Sequence, residues 1–175
     1  WGTAACPVLV GDLVIQNCDS DEETFLVAFD KTTGQQAWKV DRENFRGWST
    51  PILIEAAGRE ELVLQGHTGV RAYDALTGKQ LWYQTGTKGR GTPTVTPGHG
   101  LLYVIPGRPG TSFALKPGGS GNVSDSHVVW KVTRKGRDLP SPIVVGDYVL
   151  MISMRSAILT CYSAKDGKQL WQERI

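Results

Sequence analysis

Short apolar runs separated by glycine-containing turns recur along the whole chain. Residues 52–54 precede residues 62–64 across one such turn, and residues 143–145 precede residues 148–152 across another. Runs of this length, rich in β-branched and aromatic residues and bounded by glycine, are typical of β-hairpins. Helical periodicity is almost absent, so the pattern predicts an all-β fold. The nearly continuous apolar character of each run indicates sheets that are covered on both faces.

An eleven-residue segment is repeated along the chain. Residues 28–38 and 72–82 are identical at six of eleven positions, a weaker copy spans residues 161–171, and a degenerate copy begins at Ala114 and includes an insertion. Each copy ends in a tryptophan, and these tryptophans are 44, 48 and 41 positions apart. A period of about 40 to 50 residues is typical of propellers and solenoids.

A proline marks the start of each repeat unit, in the same phase as the tryptophans. Pro7, Pro51, Pro93 and Pro142 each open a short apolar stretch. Each unit therefore predicts strand A after the proline, strand B, a variable loop, strand C, a turn, and strand D with the tryptophan. We expect one β-propeller domain over residues 1–175, made of four-stranded antiparallel blades. The predicted blades span approximately residues 1–44, 45–88, 89–134 and 135–175.

The turn between strands C and D carries the pattern Asp-x-x-Thr-Gly in the two strongest copies. Aspartate and threonine side chains bond local backbone N–H groups, glycine adopts the positive φ that closes the turn, and tryptophan supplies a large flat surface. Asp30 and Asp74 are therefore predicted to be structural rather than catalytic. The predicted structural residues are Asp30, Gly34, Trp38, Asp74, Gly78, Trp82, Trp130, Gly167 and Trp171.

The pattern Ala-x-Asp-x-x-Thr-Gly-x-x-x-Trp resembles the tryptophan-docking motif of pyrroloquinoline-quinone-type (PQQ-like) propellers. The resemblance covers the whole chain and implies that each indole stacks on the glycine-containing turn of an adjacent blade. The copy at Ala114 lacks the aspartate and the threonine and departs most from the motif. Members of the family usually close with about six to eight blades. Four blades imply part of a larger ring, half of an eight-bladed pair of chains, or a small closed ring.

Composition and cysteine spacing exclude several functional classes. A net charge of +2 with 21% charged residues does not predict nucleic-acid binding, and no apolar run approaches the roughly 20 residues that span a bilayer. Cys6, Cys18 and Cys161 fit no metal site. Cys6 and Cys18 flank a predicted hairpin, which leaves a cross-strand disulfide and two free thiols as alternatives. The chain lacks an initiator methionine, which is typical of a mature or excised segment.

The loops from strand D to the next strand A and from B to C share one face of a propeller. Cations recur in these loops, and a ring of cations would attract anions or acidic protein surfaces. The candidate residues of this face are Arg46, Trp48, His67, Lys88, Arg90, Arg108, Arg137 and Arg155.

The first B-to-C loop is acidic instead. It contains Asp19, Asp21, Glu22 and Glu23. A calcium site, a solvated loop and pairing with the basic loops are the three interpretations of this cluster.

Three functions are compatible with these features. The favoured hypothesis is a non-enzymatic scaffold or binding module that presents a basic loop face to a protein or anionic ligand. The family resemblance implies such a role, as in outer-membrane assembly lipoproteins, and a periplasmic or otherwise exported location. The alternatives are a portion of a PQQ- and calcium-dependent dehydrogenase, and a sensory or carbohydrate-binding domain. No catalytic constellation and no adjacent cysteine pair occur in the sequence. We therefore expect no catalytic residue, cofactor or metal. A homodimer that completes a ring is one of the three alternatives left open by the four predicted blades.

Overall fold

The protein is described by a computed structural model that covers residues 2–42, 45–87, 89–107, 110–134 and 139–175. These residues form seventeen β-strands and no helix. Accordingly, nothing in the described ranges is a helix long and apolar enough to cross a membrane. The strands lie in four sheets that follow one another along the chain.

The first two sheets are formed by consecutive strands. The first has the order β1-β2-β3-β4 and consists of β1 (Val8–Val10), β2 (Leu13–Asn17), β3 (Phe25–Asp30) and β4 (Gln36–Asp41). The second contains β5 (Ile52–Ala56), β6 (Arg59–Gln65), β7 (Gly69–Tyr73) and β8 (Gln80–Thr85).

The third and fourth sheets repeat the same antiparallel order. The third contains β9 (Thr96–Gly98), β10 (Leu101–Val104), β11 (Gly110–Leu115) and, after the short strand β12 (Gly121–Asn122), β13 (Val128–Arg134). The fourth contains β14 (Ile143–Val145), β15 (Tyr148–Ser153), β16 (Ile158–Ser163) and β17 (Gln169–Arg174).

All four sheets have the same irregularity between their third and fourth main strands. The register shifts directly after Ala28, Ala72, Ala114 and Cys161. Each of these small residues lies opposite the tryptophan of its repeat, and the pairs are Ala28 with Trp38, Ala72 with Trp82, Ala114 with Trp130 and Cys161 with Trp171. A small residue at this position leaves room for the indole beside the strand.

Three buried apolar clusters lie at the three junctions between successive sheets. The first includes Ile15 from the first sheet and Leu62 from the second. The second joins the second and third sheets through Val63 and Leu102. Leu62 and Val63 are adjacent in β6 and face opposite junctions, as the alternation of a strand requires. The third and fourth sheets meet in a third cluster that includes Tyr103. Each inner sheet is thus covered on both faces, and the predicted all-β propeller fold is confirmed.

One strand was not predicted. The insertion in the third repeat contains β12, which pairs in parallel with β8 of the second sheet, Gly121 opposite Trp82 and Asn122 opposite Tyr83. The backbone N–H of Val123 also donates to the Tyr83 carbonyl at 2.9 Å. The second sheet therefore has five strands, and its fifth strand comes from the next repeat.

Candidate functional site

The two Asp-x-x-Thr-Gly turns have the same hydrogen-bond pattern. Oδ1 of Asp30 accepts bonds from the backbone N–H groups of Thr32 and Thr33 and from the Thr33 hydroxyl, at 2.7–3.0 Å. Asp74 accepts the equivalent three bonds from Leu76 and Thr77. These hydrogen bonds hold the pKa of Asp30 below its ordinary value, and the bond from the backbone N–H of Thr33 has the largest effect. Oδ1 of each aspartate thus accepts its three hydrogen bonds within its own turn.

The turn of the fourth sheet is built with the two side chains exchanged. Ser163 stands where the first repeat has Asp30, and Asp166 stands where it has Thr33. A hydrogen bond from the Ser163 side chain is the main cause that lowers the pKa of Asp166. Gly167 keeps the positive φ of 71° that Gly34 also shows. Because the two side chains are exchanged, residues 161–171 match the repeat pattern poorly in sequence although the turn itself is preserved.

Two indoles lie directly against the turn glycine of the following sheet. A Cβ placed on Gly78 would be 2.7 Å from Cε3 of Trp38, and one on Gly167 would be 2.6 Å from Cε3 of Trp130. Nε1 of Trp130 also donates to the Ala164 carbonyl at 3.0 Å. The absence of a side chain at the turn therefore allows the close contact between indole and backbone.

The junction between the second and third sheets uses a different contact, because the third repeat lacks the turn motif. Trp82 is fully buried and its Nε1 donates to Oε2 of Glu61 at 2.8 Å. The same carboxylate oxygen accepts the backbone N–H of Gly118 at 3.2 Å. Arg59 binds the other carboxylate oxygen and also donates to the Gly119 carbonyl. A buried carboxylate thus joins the indole to the degenerate turn.

The predicted loop-face residues of the first half of the chain form a connected strip. The guanidinium of Arg46 lies 5.7 Å from the Phe45 ring centroid, and that ring is 3.9 Å from the His67 ring. Nδ1 of His67 is 2.6 Å from the carbonyl oxygen of Gly89. Gly89 directly precedes Arg90 in the sequence. Trp48 joins this strip through its backbone N–H, which donates to the Gly91 carbonyl at 2.9 Å.

Other candidates of this face are not part of the strip. Arg155 is exposed in the turn between β15 and β16 of the fourth sheet, whereas Arg46 and His67 lie in loops that follow strands of the first and second sheets. Trp48, which does belong to the strip, is half-buried, and its Nε1 donates to the Gly2 carbonyl. Lys88, Arg108 and Arg137 lie outside the described residues.

The acidic loop of the first repeat is paired with arginines. Asp19 and Arg42 form a buried ion pair at 2.9 Å, and Arg42 also donates to the Tyr73 hydroxyl at 2.7 Å. Burial is the main cause that raises the pKa of Tyr73. Asp21 pairs with Arg46 at 2.8 Å on the partly exposed side of the loop. Of the three interpretations, pairing with basic side chains describes these two aspartates, and the described residues contain no cluster of metal-ligating side chains.

The three cysteines are free thiols in the structure. Cys6 is exposed, Cys18 is half-buried and Cys161 is buried. Burial raises the pKa of the Cys161 thiol and is also the main cause that raises the pKa of Cys18. Of the two alternatives for Cys6 and Cys18, the structure has the free thiols, although Cys6 is not packed as a buried thiol would be.

Sequence reasoning missed the two buried ionic contacts. Glu61 belongs to the run Arg59-Glu60-Glu61, which has the composition of a solvated surface. One signal was present, because Glu61 is two positions before the buried Val63 and so shares its face of β6. Arg42 gave no comparable signal, since its partner Asp19 is distant in sequence and lies in an acidic cluster.

Comparison with known proteins agrees with this architecture. Residues 22–175 match the family model described as outer membrane protein assembly factor BamB. The structure of BamB from Moraxella catarrhalis superposes with a TM-score of 0.75 at 18% identity, over 95% of this chain and 47% of that chain. No curated protein matches the sequence.

Two quinohemoprotein alcohol dehydrogenases share the fold at lower similarity. Those from Pseudomonas putida and Comamonas testosteroni both superpose with a TM-score of 0.64, at 12% and 14% identity. This chain covers 34% and 36% of their lengths, so it spans half or less of each of the three solved chains. The turns, the indole contacts and the match over residues 22–175 agree, and the chain belongs to the BamB family of PQQ-like propellers.

Proposed function

We propose that this chain is a non-enzymatic propeller scaffold whose loop face binds an acidic surface of a partner protein. The family description names an assembly factor, which is a protein-binding role. That description also supports a periplasmic or otherwise exported location. Because a shared fold alone does not establish function, the proposal depends on the side chains of the loop face.

The observation that carries the proposal is the strip formed by Arg46, Phe45 and His67. The Arg46 guanidinium lies within 6 Å of the Phe45 ring, and the Phe45 ring lies within 4 Å of the His67 ring. Arg90 follows Gly89, the residue whose carbonyl contacts His67. Guanidinium groups bind carboxylates in two-point geometry, while aromatic rings provide apolar contact area at little entropic cost. This combination fits the acidic and apolar side chains of a protein better than a small inorganic anion.

The contact between Arg46 and Asp21 does not prevent this use. Both side chains are partly exposed, and exposed ion pairs contribute only about 0–1 kcal/mol. A carboxylate of a partner can therefore replace Asp21 at Arg46 with little loss. The buried pair of Asp19 and Arg42 is different, because its separation would leave a buried charge without a partner. We assign that pair to holding the loop rather than to binding.

The dehydrogenase alternative lacks comparable support in this chain. The sequence has no adjacent cysteine pair, and none of the described segments brings together three or more potential metal ligands. The scaffold proposal requires neither feature. The structural likeness to the two dehydrogenases, at 12–14% identity, concerns the fold.

Fluorescence anisotropy with a labelled oligoglutamate peptide tests the proposal. We expect the double variant Arg46→Ala with Arg137→Ala to weaken binding at least several-fold, with a shallower dependence on salt. The matched control is Lys79→Ala with Lys168→Ala, which removes the same charge from exposed positions in the turns at the opposite end of the sheets. An equal loss of peptide affinity in both double variants would show that the effect depends only on net charge. Unchanged affinity in the arginine variant would refute the proposal that the basic loop face binds acidic partners.

A further inference from the structure

A cavity of about 560 Å³ lies between the third and fourth sheets. It is at the end of the sheets where β9 turns into β10 and β16 turns into β17, opposite the loop face. Small-molecule sites in proteins measure about 300–1,000 Å³ and combine apolar walls with a few polar groups. The size of this cavity therefore fits a small organic ligand, and its lining indicates which kind.

Lys116 lines this cavity because the third repeat lacks the turn motif. It stands two positions after Ala114, where the first repeat has Asp30 two positions after Ala28. The Asp30 carboxylate folds back to accept hydrogen bonds from its own turn. At the same position of the third repeat, the motif carboxylate is thus replaced by a cation that borders the cavity.

Lys165 supplies a second cation from the fourth sheet. Both lysines are exposed, and within the described ranges neither ammonium group forms an ion pair. Asp147 is the one carboxylate among the described residues of the lining. With His99 neutral, two cations against one anion give the cavity an excess of positive charge, which attracts an anionic ligand.

The apolar part of the cavity is formed by Leu101 and Val129. Leu101 is half-buried at the start of β10, and Val129 in β13 is 43% exposed. Covering such apolar surface favours binding in proportion to the area removed from water. A ligand with an apolar body therefore gains from this wall as well as from the lysines.

Hydrogen bonds from the third sheet to the fourth hold the two walls of the cavity together. Nε1 of Trp130 and the Tyr103 hydroxyl both donate to the Ala164 carbonyl, at 3.0 and 3.2 Å. Nε2 of His99 donates to the Gly146 carbonyl at 2.7 Å. Because these contacts already fix the walls, a ligand binds without the entropic cost of ordering them.

We propose that this cavity binds a small organic acid, with its apolar body on Leu101 and Val129 and its carboxylate between Lys116 and Lys165. An uncharged apolar ligand would leave the two ammonium groups without a counter-ion. A small inorganic anion would leave the apolar wall exposed to water. The site is independent of the proposed loop-face function, because the two lie at opposite ends of the sheets.

Titration of the 175-residue chain with octanoate, followed by methyl NMR spectroscopy, tests this site. We expect octanoate to shift the methyl signals of Leu101 and Val129, and to bind more tightly than octanol or acetate. Octanol has the apolar chain without the charge, and acetate has the charge with almost no chain.

Charge variants test the role of the lysines in the same titration. Lys116→Gln with Lys165→Gln should weaken octanoate binding by about five-fold or more, while Asp147→Asn should strengthen it by about two-fold. The matched control is Lys79→Gln with Lys168→Gln, since these two exposed turn lysines lie outside the cavity lining. All of the exchanged side chains are exposed, so the variants should unfold at the same urea concentration as wild type.

Four outcomes would overturn the proposal. The first is the absence of octanoate binding at millimolar concentration, and the second is a set of shifts confined to methyl groups away from the cavity. The third is an equal loss of affinity in the two double-lysine variants, because the effect would then come from net charge alone. The fourth is weaker octanoate binding after Asp147→Asn, which has the opposite sign to the expected change.

Discussion

The indole of Trp130 lies so close to Gly167 that a Cβ at position 167 would be 2.6 Å from Cε3 of the ring. The two residues belong to neighbouring sheets, and the contact is made between a side chain and bare backbone. Trp38 and Gly78 show the same relationship one junction earlier. The absence of a side chain at the glycine is thus a requirement of the packing between sheets, separate from the positive φ of the turn.

Comparison of two glycine variants separates these two requirements. Gly34→Ala should cost about 1–2 kcal/mol, the strain of a side chain at positive φ, because nothing lies near that position. Gly167→Ala has the same φ of 71° and should cost about 1–3 kcal/mol more, since the methyl group would collide with Trp130. Urea denaturation of both variants at low protein concentration measures the difference. An equal loss of unfolding free energy in the two variants would show that the Trp130 indole moves aside for the methyl group without destabilising the protein.

Trp82→Ala should lower the free energy of unfolding by about 3–5 kcal/mol, because it removes a fully buried indole from the core between the second and third sheets. Trp171→Ala is the control in the same chemical melt, because Trp171 is 44% exposed. The exposed indole should contribute little there. A near-neutral result for Trp82→Ala would contradict its assignment as a packing residue at this junction.

Glu61→Ala should cost about 2–4 kcal/mol, since it leaves the Trp82 indole N–H and the Gly118 backbone N–H without their acceptor. Glu61→Gln keeps a carbonyl acceptor and loses mainly the ion pair with the partly exposed Arg59, so its cost should be less than half as large. Hydrogen exchange should report faster opening of residues 117–123 in the alanine variant. If both substitutions lowered the unfolding free energy equally, the stabilisation would come from the negative charge of Glu61 rather than from its acceptor oxygen for Trp82 and Gly118.

The sequence predicted what depends on local chemistry. The turns at Asp30 and Asp74 were found because their bonds span only two or three residues, and the same short pattern recurs in the chain. The four sheets followed from short apolar runs and from the spacing of the tryptophans. Local patterns of this kind carry their own structural explanation.

The features that the sequence left unpredicted depend on contacts between distant segments. Strand β12 forms because an insertion near residue 121 reaches the edge of β8, about 39 residues earlier, and two residues have no recognisable strand pattern. Glu61 is buried because Gly118 and Trp82 converge on it from two sheets. The grouping of Arg46 and His67 through the Phe45 ring, and of His67 with the Gly89 carbonyl, likewise depends on contacts between separate loops.

The pairing of β12 with β8 limits how this repeat array can be shortened, extended or recombined. In a simple array each repeat contacts only its neighbours through packed faces, and whole repeats are exchangeable modules. Here the third repeat contributes main-chain hydrogen bonds to the sheet of the second. A deletion or duplication with its boundary between these two repeats would expose the β8 edge of the second sheet and leave β12 without its partner strand. The second and third repeats are therefore joined by main-chain hydrogen bonds as well as by packed faces, and we expect them to be exchangeable only as a pair.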